Sequence, residues 1–209
     1  MPGEVGRGAI RAGVLFALGV VLYGNTLGND FVWDDRLGPA MVPQALPTLV
    51  GRSGAYYRPI VMLSLAAERA LWGDAPAAFH ATNVLCHLAV AWLLGGLVEA
   101  LGAGPGVAFA SAVLFAALPV QTEAVTYISG RTDVLCTLFL LAALLAWRRA
   151  RHATDRFAVA TAAGVLGALL CKEAAVLLPL ALLVPGAHPA DRPPRPALPF
   201  TVAALWLAG

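Results

Sequence analysis

Apolar residues in this chain come in long stretches with few polar interruptions rather than in alternation with polar ones. They fall at about 9–27, 79–100, 106–121, 133–147, 157–171, 174–186 and 198–209. A straight membrane helix needs roughly 20 such residues. Several of these runs are shorter, which helices surrounded by protein tolerate. The pattern predicts an all-α, polytopic membrane protein: a single transmembrane domain over residues 1–209 with about six to seven membrane helices. The last run meets the C-terminus after about twelve residues. The final helix is therefore expected to be incomplete and the chain truncated.

The first two runs are separated by a long loop, from Gly28 to about Ala78, broken by Pro39, Pro43, Pro47 and Pro59. Within it, Ile60–Trp72 is too short and too charged at its end to span. It is expected to lie at the membrane interface, with Trp72 at headgroup level. Residues 157–186 allow two readings: one span with Lys172 and Glu173 near its middle, or a hairpin of two short helices. A charge at the centre of a lipid-facing helix costs roughly 2.5–3.5 kcal/mol, which favours the hairpin.

Composition excludes a soluble domain. Of 209 residues, 59% are hydrophobic and 12% charged, about half the roughly 25% charged share of soluble domains. The mean hydropathy is +0.76. A net charge of +2, with no basic run interleaved with aromatics, gives no basis for nucleic-acid binding. Cys86, Cys136 and Cys171 sit in or beside apolar runs without a CxxC or zinc spacing, as buried thiols do. Arg7 and Arg11 precede the first run, which has no convincing small-x-small cleavage site and reads as a signal anchor. With the N-terminus in the cytoplasm, eight of the fourteen Lys and Arg residues fall on that side, Arg148, Arg149, Arg151 and Arg156 foremost. Abundant Ala, Gly, Pro and Arg point to a bacterial inner membrane, or to the endoplasmic reticulum membrane were the source eukaryotic.

Several polar constellations then share the outer side. Asp34 and Asp35 follow Trp33 just beyond the first helix. They read either as a solvated acidic turn or as a carboxylate pair in which repulsion and burial raise one pKa for general-base work. Arg58 in Tyr56-Tyr57-Arg58-Pro59 can grip a phosphate or anchor at headgroups. His80, Asn83 and His87 are spaced i, i+3, i+7, so they share one face of the second helix. That face is turned to protein or to a water-filled cavity, and hydrogen bonds between helices account for it without a ligand. Glu123, Arg131 and Asp133 lie among apolar residues close to membrane depth, where charges are functional candidates by default. Lys172 and Glu173 read as a hairpin ion pair or as part of the same site. A transporter would place such charges near the midplane of repeated halves, and no repeat is present. A transporter or channel, or a non-catalytic scaffold, stands as the alternative to an enzyme.

The ordered segments NDFVWDD, YYRPI, FHATNVLCHL, LPVQTEAVTYISGRTDVLC and CKEAAVLLP resemble the membrane domain of the transmembrane and tetratricopeptide-repeat proteins. These are glycosyltransferases of the GT-C class, which includes protein O-mannosyltransferases. The resemblance runs from Asn29 to Pro179, with Leu118 where the family pattern has His. It implies a GT-C-like fold and transfer of a mannose-like sugar from a polyprenyl-phosphate carrier to an acceptor hydroxyl, on protein or glycan, outside the cytoplasm. Asp34 or Asp35 would then be the base. Arg58, Arg131 and Lys172 would face the lipid phosphate, while Glu123, Asp133 and Glu173 orient those cations or bind sugar hydroxyls. No cofactor follows from this reading with certainty; it leaves room for a divalent cation beside the aspartates, with no metal ligand assigned.

Overall fold

The computed structural model describes residues 2–36, 57–184 and 196–208. Most of the long first loop, with Pro39, Pro43 and Pro47, lies outside them. The described residues form α1 (Pro2–Tyr23), α2 (Pro59–Trp72), α3 (Pro76–Ala100), α4 (Pro105–Ala117), the short α5 (Thr122–Thr126), α6 (Arg131–Trp147), α7 (Arg156–Leu169), the single turn α8 (Leu178–Ala181) and α9 (Ala197–Ala208), with no strand among them. The protein is an all-α helical membrane protein. Its outward faces carry large apolar side chains, such as Val21 at 79% exposure and Leu114 at 63%, for which lipid is the fitting solvent.

Among the described residues, three apolar stretches are long enough to cross a bilayer: Gly6–Gly28, Pro76–Ala100 and Ile128–Trp147. A fourth candidate joins Pro105–Ala117 to Pro119–Thr126 through a 54° bend. The bend has a local cause. Pro119 disfavours helical backbone at the residue before it, and Leu118 is extended at φ −65°, ψ 126°. Each apolar run is helical over most of its described length, with Leu118 extended and residues 170–171 and 182–184 in turns, but α7 and α9 are shorter than a straight span.

Prolines at the first turn open α2, α3 and α4, where the missing N–H is no loss. Asp155 caps α7 by accepting from the Phe157 and Ala158 N–H groups at 3.0 and 2.8 Å. Backbone donation to that carboxylate, first from Arg151 and then from Ala158, lowers its pKa to about 2. Residues 157–186 are not one helix. The chain is extended at Lys172 (φ −155°, ψ 132°) and continues as a 3-10 turn over Glu173–Leu177. Leu182 then packs back onto Ala158 and Trp147, so the segment folds as a hairpin.

The main core joins Val61 and Leu65 of α2, Phe79 of α3, Ile128, Leu135 of α6, and Val165 and Leu169 of α7. Helix α2 therefore docks one face on protein, while Leu63, Leu71 and Trp72 stay exposed. Helices α3 and α4 meet along small residues, with Gly95 against Ala108 and Ala112, the kind of seam that lets membrane helices approach closely. The bundle has two distinct ends. At one, Arg148 donates to the Ala100 carbonyl and Arg11 lies 5.8 Å from the Phe109 ring. At the other, the Tyr23 hydroxyl donates to the Ala116 carbonyl at 3.0 Å. The chemistry gathers at this second end.

Candidate active site

Arg131, the first residue of α6, is fully buried. Its guanidinium donates to Glu68 Oε2 at 2.5 Å, to Asn83 Oδ1 at 2.7 Å and to the Phe79 carbonyl at 2.9 Å. Asn83 in turn donates to the Tyr127 and Ile128 carbonyls at 3.0 and 3.2 Å. One cation thus ties α2, α3 and the 127–131 turn together. The turn is tight because Gly130 backs onto Ala124, where an added Cβ would lie 2.6 Å from the carbonyl oxygen. Arg131 is part of the floor beneath the site and is not presented to an external phosphate.

The two aspartates separate in the same way. Asp35 is fully buried. It accepts from the Ser129 N–H and hydroxyl, both at 2.8 Å, and from the Ile128 N–H at 3.2 Å. That clamps the Trp33–Arg36 turn onto the 128–130 turn. Asp34 is exposed and lies close to Tyr127.

Beside this junction opens a cavity of about 300 Å³, lined by Arg58, Glu123, Tyr127, Ser129, Asp133 and Lys172 among others. Arg58 grips Glu173 with three hydrogen bonds between 2.9 and 3.3 Å. That hydrogen bonding holds the Glu173 carboxyl below its ordinary range and keeps it ionised at neutral pH. Lys172 pairs with Asp133. The Ile60 N–H donates to the Leu170 carbonyl at 3.3 Å, fixing the start of α2 against the end of α7. Residues more than a hundred positions apart therefore share one wall, and both cations are held by carboxylates within reach of the cavity. A larger cavity of about 510 Å³ lies at the opposite end, lined by Arg7, Arg11, Trp92 and Glu99 among others. It holds none of the expected site residues.

The polar stripe on α3 faces protein. His87 stacks on Phe115, meets Tyr23 edge-on and lies 3.4 Å from the Ala116 carbonyl. His80 is buried, with Asp35 and Arg131 as charged neighbours. A divalent cation at the aspartate pair does not fit these residues. Asp35 Oδ1 accepts from the Ser129 N–H and hydroxyl and Oδ2 from the Ile128 N–H, and among the described residues no three His, Cys, Asp or Glu side chains gather as ligands.

Known proteins resolve what these segments belong to. The chain is 35% identical over 178 residues to the Protein O-mannosyl-transferase TMTC2 of Mus musculus, covering 77% of this chain and 21% of that one. It is 37% identical over 156 residues to the tmtc2 protein of Xenopus laevis, covering 67% and 18%. With the Tmtc1 protein of Drosophila melanogaster, identity is 34% over 179 residues, covering 77% and 21%. The chain is a homologue of the transmembrane and tetratricopeptide-repeat proteins. It spans about a fifth of the length of these curated relatives. No family model and no solved structure matches it.

Sequence reasoning missed Glu68 as the partner of Arg131. The signal was present: Val61, Leu65 and Glu68 recur at i, i+4, i+7, which puts the carboxylate on the face that α2 buries. It also missed Ser129, whose hydroxyl and N–H hold Asp35.

Proposed function

We propose that this chain forms one transmembrane domain of a glycosyltransferase that moves mannose, or a sugar like it, from a polyprenyl phosphate to a hydroxyl on protein. The reaction would run at the extracytoplasmic face. The observation that carries this is the cavity between Arg58, Glu123, Asp133 and Lys172, beside Asp34, in a homologue of proteins named protein O-mannosyl-transferases.

The acceptor oxygen attacks the anomeric carbon, and its proton passes to Asp34. The bond from the anomeric carbon to the phosphate oxygen breaks, and the electron pair leaves with the lipid phosphate. The reacting carbon gains oxocarbenium character on the way. Charge growing on the phosphate is met by Lys172 and Arg58, which their carboxylate partners hold in place. Glu123 and Asp133 offer acceptors for sugar hydroxyls. Asp35 and Arg131 position this machinery without touching the substrate. The arginines at the opposite end support a cytoplasmic N-terminus, and the composition supports a bacterial inner membrane.

The test uses the chain in liposomes with a mannosyl isoprenyl phosphate and a Ser/Thr-rich peptide. Mannose should pass to the peptide, and Lys172→Gln should raise the donor KM about tenfold, as loss of a charge on a phosphate does. Absence of transfer would overturn the enzymatic reading, and an unchanged donor KM would overturn the role of Lys172.

A further inference from the structure

Trp33 is held in a conformation that its side chain resists. Its φ is 45°, and among the described residues it is the only non-glycine residue with positive φ. For a bulky residue this is a genuine outlier, of the kind that concentrates at ligand clamps. Burial does not compensate for it, because the ring is 85% exposed. The strain is imposed from two residues along the chain. Asp35 is anchored to Ile128 and Ser129, and its own N–H donates to the Val32 carbonyl at 2.9 Å. The turn that carries Trp33 is thereby fixed against the wall of the cavity.

The ring that this strain displays is not placed at random. It meets Tyr127 edge-to-face, with centroids 6.4 Å apart and planes at 73°. Tyr127 lines the cavity that holds Arg58 and Lys172, and its hydroxyl lies close to the Asp34 backbone and to Ser129. Two aromatic rings with planes at 73° therefore stand together at the edge of the cavity, Tyr127 in its wall and Trp33 next to Asp34.

We propose that Trp33 and Tyr127 form an aromatic corner that receives the pyranose ring of the transferred sugar. This assignment rests on the glycosyltransferase reading above. A hexopyranose carries C–H bonds on its faces and hydroxyls around its rim. The electron-rich aromatic face attracts the first, and the nearby Glu123 and Asp133 carboxylates accept from the second. As the anomeric carbon becomes cationic, attraction to an indole face strengthens. The contact is then worth more in the transition state than in the ground state. A lipid phosphate without its sugar has nothing to place in the corner.

The experiment compares two probes by calorimetric titration of the whole chain in nanodiscs: a short-chain isoprenyl phosphomannose, and the same isoprenyl phosphate lacking the sugar. Trp33→Ala should weaken phosphomannose binding about tenfold, or about 1.4 kcal/mol, and leave isoprenyl phosphate binding within about twofold. Trp33→Phe should keep most of the affinity. Trp33→Gly relieves the backbone, so it should raise the melting temperature while losing the sugar-dependent affinity. If wild type prefers phosphomannose and Trp33→Ala binds it equally well, the corner is overturned and the phosphosugar site stands. An equal loss for both probes would make Trp33 a membrane anchor or a fold residue, and would also overturn the corner. If wild type binds neither probe, the corner and the glycosyltransferase reading fall together.

Discussion

Arg131→Ala is expected to destabilise the protein by about 3–5 kcal/mol, the cost of leaving a buried charge without its partner. The guanidinium is fully buried and satisfied by Glu68, Asn83 and the Phe79 carbonyl. Its removal strands Glu68, one of whose oxygens is already buried without a partner. Glu68→Ala should cost a similar amount by exposing the same imbalance from the other side. The two losses should not add. Replacing both residues by methionine removes the charges together, and apolar replacement of a buried ion pair is often neutral or stabilising. Unfolding titrations of the two single variants and of the double methionine variant check this. Single variants as stable as wild type would show that the pair does not tie α2 and α3 to the 127–131 turn.

The second large effect separates the neighbouring aspartates. Asp34→Asn is expected to lower kcat by roughly 100- to 10,000-fold, the usual worth of a positioned general base, with the melting temperature unchanged because the side chain is exposed. Asp35→Asn is expected to act through structure. An amide keeps one acceptor oxygen but turns an NH₂ toward N–H donors that Asp35 now accepts from. Leaving such a buried donor unsatisfied costs about 1–3 kcal/mol. Activity should then fall together with stability, and Ser129→Ala, which removes one of the same bonds, should reproduce part of the loss. Full turnover by Asp34→Asn would remove it as the base.

These two aspartates show what a sequence can and cannot disclose. Their presence just beyond a membrane helix follows from the end of the first apolar run. Which of them is buried depends on how a 3-10 turn, Trp33–Arg36, docks on residues more than ninety positions away. No local pattern encodes that docking. Arg131 has a similar history. A charge near membrane depth is a functional candidate by default, but its partner Glu68 lies 63 residues upstream, and pairing converts a ligand for phosphate into a strut. Lys172 and Glu173 are adjacent, which reads as one hairpin ion pair. In the folded chain they point to different partners, Asp133 and Arg58, and so draw two segments to one cavity. The helices were more legible. Apolar runs dictate helix wherever lipid must be the solvent, and Pro119 marks the bend. The lengths were less so, because helix ends are set by caps and tertiary contacts such as Asp155 and the Arg148–Ala100 link.

The proposed site exists only where the first loop approaches the turn after α7, and a cross-link measures that approach directly. In a background with Cys86, Cys136 and Cys171 changed to alanine, Arg58→Cys and Glu173→Cys are introduced together and treated with a short bismaleimide in intact membranes. The expected result is one intramolecular link, seen as a single linked peptide mass, because the native side chains meet at 2.9 Å tip to tip, a span that a short two-ended reagent bridges and a direct disulfide does not. Two thiols that stay unlinked, or that an impermeant maleimide reaches only from opposite faces of the bilayer, would contradict it.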